Sequence, residues 1–163
     1  MRFKLLSVFA AVALLAACET ASDQSASSTG TGASTGTGTS TTARARSPQE
    51  ILTSEVGDRV FFDFDKSDLK PEARRTVERW AGFLKQYPNL TVTVEGHADE
   101  RGTREYNLAL GERRANSAKN FLVSLGIDAR RVATISYGKE RPAVVGSNEA
   151  AWSQNRRAVM VVN

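Results

Sequence analysis

The fold of this chain is set by residues 94–115, VEGHADERGTREYNLALGERRA. Its pattern predicts the end of a strand, then a polar loop that carries Asp99, and then a helix that carries Arg114. An acidic and a basic side chain held in this way can bind the two ends of a zwitterion, because each supplies the opposite charge. The segment therefore predicts both an α/β arrangement and a ligand site.

The helix predicted over residues 104–125 has one apolar stripe that places Arg114 at its edge. Arg113 lies about 100° further round, towards solvent, so only Arg114 needs a partner at the core boundary. Asn107, about two turns earlier, leans towards the same edge. Gly111 on the inward face predicts close packing against another backbone. The stripe consists of Leu108, Gly111, Ala115, Ala118, Leu122 and Leu125.

The remaining elements alternate between strands and helices from residue 59 onwards. Pro71 suits the first position of a helix predicted over residues 71–87. The order β-α-β-α-β with a final strand predicts an α/β two-layer sandwich, with its helices packed on one mixed sheet. The strands are predicted over residues 59–64, 90–95, 132–137 and 158–162.

The N-terminus reads as a lipoprotein export signal. Two basic residues precede an apolar run over residues 5–15, which is too short to cross a bilayer. Residues 15–18, LAAC, resemble a bacterial lipobox, and Cys18 is the only cysteine of the chain. We therefore predict lipidation at Cys18, with ordinary signal-peptidase cleavage and a free thiol as the alternative.

The predicted export signal and the composition after it divide the chain into three parts. Residues 1–17 are the signal peptide, residues 18–57 the lipidated cysteine and a flexible tether, and residues 58–163 one domain. The tether is predicted because residues 25–42 are all Ser, Thr, Gly or Ala, which cannot bury apolar surface. Glu19, in the position where Asp favours inner-membrane retention of bacterial lipoproteins, points by resemblance to the outer membrane, with the domain facing the periplasm.

Charge and composition exclude several functions. Removing the signal peptide lowers the formal net charge from +4 to +2, because it removes two basic residues, and no basic stripe interleaved with aromatics indicates nucleic acid. His97 is the only histidine, and neither an HExxH motif nor a G-x-S-x-G motif is present. We therefore predict no enzymatic activity and no cofactor, and assign His97 to ordering the loop or lining the site.

The acidic residues after the first strand do not form a calcium loop. The EF-hand spacing fails because Asp68 stands where Gly is required and Arg74 where the bidentate Glu belongs, so no metal site is predicted. The sequence allows two interpretations of Asp65. Either its carboxylate faces a ligand at the edge of the strand, or the residue only forms a turn.

A series of motifs from Phe62 onwards resembles the OmpA-like peptidoglycan-binding domain. The resemblance covers nearly all of residues 59–163. Where the family usually has Gly-His-Thr-Asp, this chain replaces the threonine by Ala98 and keeps the acid. The motifs are Phe62-Asp63-Phe64-Asp65-Lys66, Gly96-His97-Ala98-Asp99-Glu100-Arg101-Gly102, Tyr106-Asn107, Leu110-Gly111-Glu112-Arg113-Arg114-Ala115, Tyr137-Gly138-Lys139-Glu140-Arg141-Pro142 and Asn155-Arg156-Arg157-Ala158.

The resemblance implies a ligand, the peptidoglycan stem peptide. Its meso-diaminopimelate carries an ammonium and a carboxylate on one carbon, and Asp99 is expected to accept from the ammonium while Arg114 donates to the carboxylate. On this basis we expect Asp99→Ala or Arg114→Ala to abolish binding without affecting the fold. The other residues implied in the groove are Asn107, Asp65 and Arg101, with backbone groups of Phe64 and Lys66.

The resemblance also implies partners and a cellular role. TolB and other Tol proteins are the expected protein partners, and the chain would link the outer membrane to the cell wall in envelope integrity and cell division. One alternative from another class stays open. A structural lipoprotein that binds envelope proteins without binding peptidoglycan would account equally well for the anchor and the tether.

Overall fold

The structure, a computed structural model, describes residues 45–163. The predicted signal peptide, Cys18 and most of the predicted tether lie outside the described residues, so those predictions stay predictions. Across the described part of the chain, no helix has both the length and the apolar character needed to cross a membrane.

The four strands of the described region form one mixed sheet. They are β1 (Arg59–Phe61), β2 (Val92–His97), β3 (Val132–Gly138) and β4 (Arg157–Val162), and they lie in the order β1-β4-β2-β3. β2 runs parallel to β3, whereas β4 is antiparallel to both β1 and β2. The predicted α/β class with a mixed sheet is confirmed.

The helices follow the predicted alternation, with additions at both ends of the domain. Thr103 caps the long central helix, since its hydroxyl accepts from the Tyr106 backbone N–H. The helices are α1 (Pro48–Ile51), which continues into a π-helical turn (Leu52–Val56), α2 (Pro71–Gln86), α3 (Arg104–Ser124) and α4 (Glu149–Asn155). A short 3-10 turn, Ala129–Arg131, leads into β3.

The core lies between the sheet and the two long helices, α2 and α3. The spacing of apolar residues in α2 and α3 turns their side chains onto the strands, and each large buried apolar side chain stabilises the fold by about 1.5–3 kcal/mol. Trp80 is fully buried and donates from its indole nitrogen to the Gly57 carbonyl at 2.6 Å. The members of this core that are 0% exposed are Leu52, Val77, Trp80, Leu84, Val92, Val94, Ala115, Ala118, Leu122, Ala158 and Met160.

The folded region starts at Pro48, earlier than the predicted domain start at residue 58. Leu52 is 0% exposed and belongs to the core, and Ile51 and Val56 pack against that core. The segment is too short for a helical period to show in the sequence, and only the packing of Leu52 reveals that it is structured. The predicted tether is therefore folded in its last part.

The first strand is shorter than predicted. β1 ends at Phe61, and the Phe62 backbone N–H then bonds to the Arg156 carbonyl. Asp65 has a φ of 58°, in the left-handed region, so the chain turns where a continued strand was expected. Helix α4 was not predicted, because its seven residues bury only Ala151 and Asn155 and give no apolar period.

Two glycines bring β2 and α3 into backbone contact. A Cβ placed on Gly96 would lie 1.8 Å from the Gly111 carbonyl oxygen. A Cβ on Gly111 would lie 2.8 Å from the Gly96 carbonyl oxygen and 2.3 Å from the Ser136 hydroxyl oxygen. The predicted close packing at Gly111 is confirmed. The contact also sets the distance between the loop after β2 and the middle of α3.

We expect Gly96→Ala to lower the free energy of unfolding by about 3 kcal/mol or more, because backbone atoms cannot make room for the added methyl group. Gly82→Ala is a matched control. Gly82 lies in α2 with nothing within 4 Å of an added Cβ, so this change should raise stability by about 0.5–1 kcal/mol. Urea denaturation followed by circular dichroism measures both. Equal free energies of unfolding for Gly96→Ala and Gly82→Ala would contradict the tight contact between β2 and α3.

Candidate functional site

A cavity of about 190 Å³ opens between the loop after β1, the loop after β2 and helix α3. Six of the seven residues predicted from the sequence line it, and the exception is Lys66, which reaches the site only through its backbone carbonyl. The lining residues are Phe64, Asp65, Asp99, Arg101, Gly102, Tyr106, Asn107, Leu110 and Arg114. The structure thus brings together residues from three separate parts of the sequence.

Arg114 forms the inner wall of the cavity and is 0% exposed. Its Nε donates to the Lys66 carbonyl at 2.8 Å, Nη1 to the His97 carbonyl at 2.8 Å, and Nη2 to the Asp63 carbonyl at 3.1 Å. Burial lowers the pKa of Arg114 to about 10, against an opposing effect of nearby Asp99, so the guanidinium stays charged at neutral pH.

The helical phase separates the two neighbouring arginines as the sequence predicted. Arg113 is exposed and its guanidinium lies 5.8 Å from the centre of the Tyr106 ring, whereas Arg114 is fully buried. The partners of Arg114 within the chain are backbone carbonyls rather than an anionic side chain. These bonds give Arg114 a structural role that sequence reasoning did not anticipate.

Asp99 is buried to 4% exposure and is paired within the chain. Its Oδ2 lies 2.6 Å from Arg101 Nη2 and 3.5 Å from Arg156 Nη1, and its Oδ1 accepts from the Arg101 backbone N–H at 3.1 Å. Burial alone would raise the pKa of this carboxyl, but the hydrogen bonds from Arg101 and then Arg156 hold it below the ordinary value. Asp99 is therefore an anion at neutral pH.

Arg101 covers Asp99 and also contacts two aromatic rings. Its guanidinium carbon lies 4.0 Å from the centre of the Phe64 ring and 4.0 Å from that of the Trp152 ring, which is cation–π geometry. Trp152 in turn donates from its indole nitrogen to Glu100 at 3.0 Å. These contacts build an aromatic and charged rim at the mouth of the cavity.

Asp65 combines the two roles that the sequence left open. Its positive φ makes it a turn residue, and its carboxylate also lines the cavity. The Tyr106 hydroxyl donates to that carboxylate, and this hydrogen bond raises the pKa of Tyr106. A bond across the cavity thus joins the loop after β1 to the first turn of α3.

Asn107 and His97 hold the loop after β2 in place. Asn107 is 1% exposed and donates from Nδ2 to the Arg101 carbonyl at 2.8 Å. His97 is 2% exposed and contributes its carbonyl to Arg114, while its ring does not line the cavity. Burial, with a contribution from the charge of Arg157, lowers the pKa of His97 to about 4, so the imidazole is neutral at pH 7.

A loop-ordering role for His97 therefore agrees with the geometry. Its Nδ1 has no hydrogen-bond partner among the described residues. Over residues 45–163 no cluster of three His, Cys, Asp or Glu side chains could hold a metal ion.

Arg156 is the main residue that the site prediction missed. It is 6% exposed, and besides its contact with Asp99 it donates to the Phe62 carbonyl at 3.1 Å and to Glu149 at 2.5 Å. Its distance of 57 residues from Asp99 along the chain hid the contact. The motif Asn155-Arg156-Arg157-Ala158 was the available signal, because it contributed to the resemblance without being assigned to the site.

Comparisons with known proteins identify the family and the fold. The OmpA family matches residues 61–156. Proteins named peptidoglycan-associated lipoprotein from Agrobacterium fabrum and Brucella melitensis are 56% and 54% identical over 114 and 112 residues, or 70% and 69% of this chain. The matches span 64% of the Agrobacterium protein, which is less than two thirds of its length, and 67% of the Brucella protein.

Solved structures agree with this result. The crystal structure of the peptidoglycan-associated lipoprotein from Burkholderia pseudomallei has a TM-score of 0.67 and 36% identity, and the match covers 72% of this chain and 100% of that one. The C-terminal domain of Helicobacter pylori MotB, with a TM-score of 0.61 and 20% identity over 65% of this chain and 85% of that one, shares the fold.

The hydrogen bonds of Arg114 argue against the expectation that its removal leaves the fold intact. Three carbonyls would lose their donor, and since a buried unsatisfied acceptor costs about 1–3 kcal/mol, we expect Arg114→Ala to lower the free energy of unfolding by about 3 kcal/mol or more. Exposed Arg113→Ala is the control and should change it by less than about 0.5 kcal/mol. Urea denaturation measures both, and equal effects would show that the carbonyl contacts contribute little.

Proposed function

Because this chain belongs to the OmpA family, we propose that its folded domain binds peptidoglycan non-covalently, through the stem peptide. The observation that carries the proposal is the cavity in which an anionic Asp99 and a cationic Arg114 line the same small space. The names of the relatives at 54–56% identity support the same conclusion. They also support the prediction that the chain is a binding protein and not an enzyme.

The size and charge of the cavity favour the side-chain end of meso-diaminopimelate as the ligand group. A volume of about 190 Å³ is below the roughly 300–1,000 Å³ of pockets that enclose whole small molecules, so it suits one end of a side chain. An ammonium and a carboxylate on one carbon match an acid and a base that line one cavity. Asp99 would accept from the ammonium and Arg114 would donate to the carboxylate.

The remaining lining residues complete the groove in this proposal. Asn107 and Asp65 present polar groups, Phe64 an exposed ring, and Lys66 the backbone carbonyl that orients Arg114. Each charge-assisted hydrogen bond contributes about 1.5–3 kcal/mol net, so the two ends of the zwitterion together provide specific but reversible binding. Reversibility suits an attachment to a wall that grows.

We propose the cellular setting from the N-terminal sequence and the family. A lipidated Cys18 would hold the chain in the outer membrane, and the tether would let the domain reach the wall from the periplasmic side. TolB and the other Tol proteins would be its protein partners, in the Tol-Pal system of envelope integrity and cell division. The alternative, a structural lipoprotein that does not bind peptidoglycan, differs from this proposal in one measurable property.

That property is binding to purified sacculi of the diaminopimelate type. We expect Asp99→Asn to weaken binding of a diaminopimelate-containing muropeptide at least about tenfold, because the neutral amide cannot pair with an ammonium. Asp128→Asn is the matched control, since Asp128 also pairs with an arginine two residues later but lies in an exposed turn. Pull-down by sacculi and calorimetry with the muropeptide measure the effect.

Two results would count against the proposal in different ways. Equal binding by Asp99→Asn and the unsubstituted chain would contradict the assigned site. Failure of the unsubstituted chain to bind sacculi would favour the structural lipoprotein.

The anchor is tested separately at Cys18. We expect Cys18→Ala to abolish labelling by radioactive palmitate and to move the protein from the membrane fraction to the soluble fraction, because stable attachment requires the acyl chains. Ser22→Ala, a nearby change outside the lipobox, should leave both properties unchanged. Membrane attachment that persists without Cys18 would contradict the lipid anchor.

A further inference from the structure

The carboxylate assigned above to the ammonium of the ligand is already bound by a cation of the same chain. Arg101 approaches Asp99 as a two-pronged donor, with Nη2 2.6 Å from Oδ2 and Nε 3.3 Å from Oδ1. Arg156 is the weaker partner at 3.5 Å, because its other nitrogens donate to Phe62 and Glu149. Arg101 therefore occupies the face of Asp99 that an incoming ammonium would need.

Arg101 is also placed so that it can leave Asp99 without entering bulk water. Its side chain is 32% exposed, whereas that of Asp99 is 4% exposed. The rings of Phe64 and Trp152 lie against the guanidinium, and Phe64 itself is 56% exposed. A shift outwards can therefore keep a cation–π contact while it frees the carboxylate.

We propose that Arg101 is an internal competitor, whose guanidinium holds Asp99 until the ammonium of the ligand displaces it. This inference rests on the proposed function. It makes Arg101 a residue that lowers affinity, rather than one that supplies a contact to the ligand. An ammonium that enters the site must first displace the guanidinium, so the net gain at Asp99 is smaller than an unpaired carboxylate would give.

Competition of this kind excludes simple amines. A ligand that offers only an ammonium has this reduced gain alone, so its affinity is low. A ligand that also brings a carboxylate gains the interaction with Arg114 and binds. The pairing of Asp99 with Arg101 thus lowers the affinity for simple amines, such as lysine side chains, relative to ligands that also carry the carboxylate.

The chain contains a second pair of this kind, Asp128 and Arg130, which shows what an Asp and an Arg two residues apart do away from the cavity. It has the same spacing, with the Arg130 backbone N–H 2.9 Å from Oδ1 and Nη2 2.7 Å from Oδ2. Its two side chains are 43% and 89% exposed, and neither lines the cavity. The pairing of an Asp with an Arg two residues later therefore stabilises a turn in both places, and only at Asp99 does it also block a cavity.

The test compares Arg101→Gln with the unsubstituted full chain at pH 7.5, using two muropeptides that are identical except at one residue. One contains diaminopimelate, and the other contains lysine, which lacks the second carboxylate. We expect Arg101→Gln to bind both probes about tenfold more tightly, because neither has to displace a guanidinium. Isothermal calorimetry gives the affinities, and urea denaturation shows that each variant is folded.

A second variant and a control complete the design. Trp152→Leu leaves both partners of the Asp99 pair in place but removes one of the two rings that the displaced guanidinium would contact. It should therefore weaken binding of both probes, by a smaller factor than the gain expected for Arg101→Gln. Arg130→Gln breaks the matched pair far from the cavity and should leave both affinities unchanged. If Arg101→Gln does not fold, Trp152→Leu decides the question alone.

Weaker or unchanged binding of the diaminopimelate probe by Arg101→Gln would overturn the proposal, since it would make Arg101 a ligand contact or a purely structural residue. If the unsubstituted chain binds neither probe, the proposed function fails. The lysine probe then still tests the competition between Arg101 and the ammonium. Tighter binding of this probe by Arg101→Gln than by the unsubstituted chain would support competition, and equal or weaker binding would refute it.

Discussion

The guanidinium of Arg114 holds the site together, because its three nitrogens donate to carbonyls from two separate parts of the chain. Asp63 and Lys66 belong to the loop after β1, and His97 ends β2. A charge buried at 0% exposure is tolerated only when such partners satisfy it. The same bonds that stabilise the charge fix the positions of both loops relative to α3, and the cavity exists only between them.

A second constraint sets how closely these parts approach. Gly96 and Gly111 let the backbones of β2 and α3 touch, so the loop that carries Asp99 starts directly beside the helix that carries Arg114. A larger side chain at either position would push α3 away from the sheet and widen the cavity. The acid and the base of the site are therefore placed by backbone packing as much as by their own contacts.

The charged groups around Asp99 form one network. Asp99 pairs with Arg101 and Arg156, and Arg156 also pairs with Glu149, the first residue of α4. Burial would favour a protonated Asp99, and only the two arginines keep it anionic. Helix α4, which carries no cavity-lining residue, supports the site through this network.

The sequence by itself determined the α/β class, the two long helices, the inward phase of Arg114 and the close approach at Gly111, since each follows from the local period or residue type. Together with the family motifs it also placed six residues in one cavity. The pairing of Asp99 with Arg101 and Arg156, the carbonyl partners of Arg114 and the packing of Leu52 were decided only by the tertiary structure. Each depends on contacts between chain segments or on side-chain directions in a loop, and neither leaves a periodic pattern in the sequence.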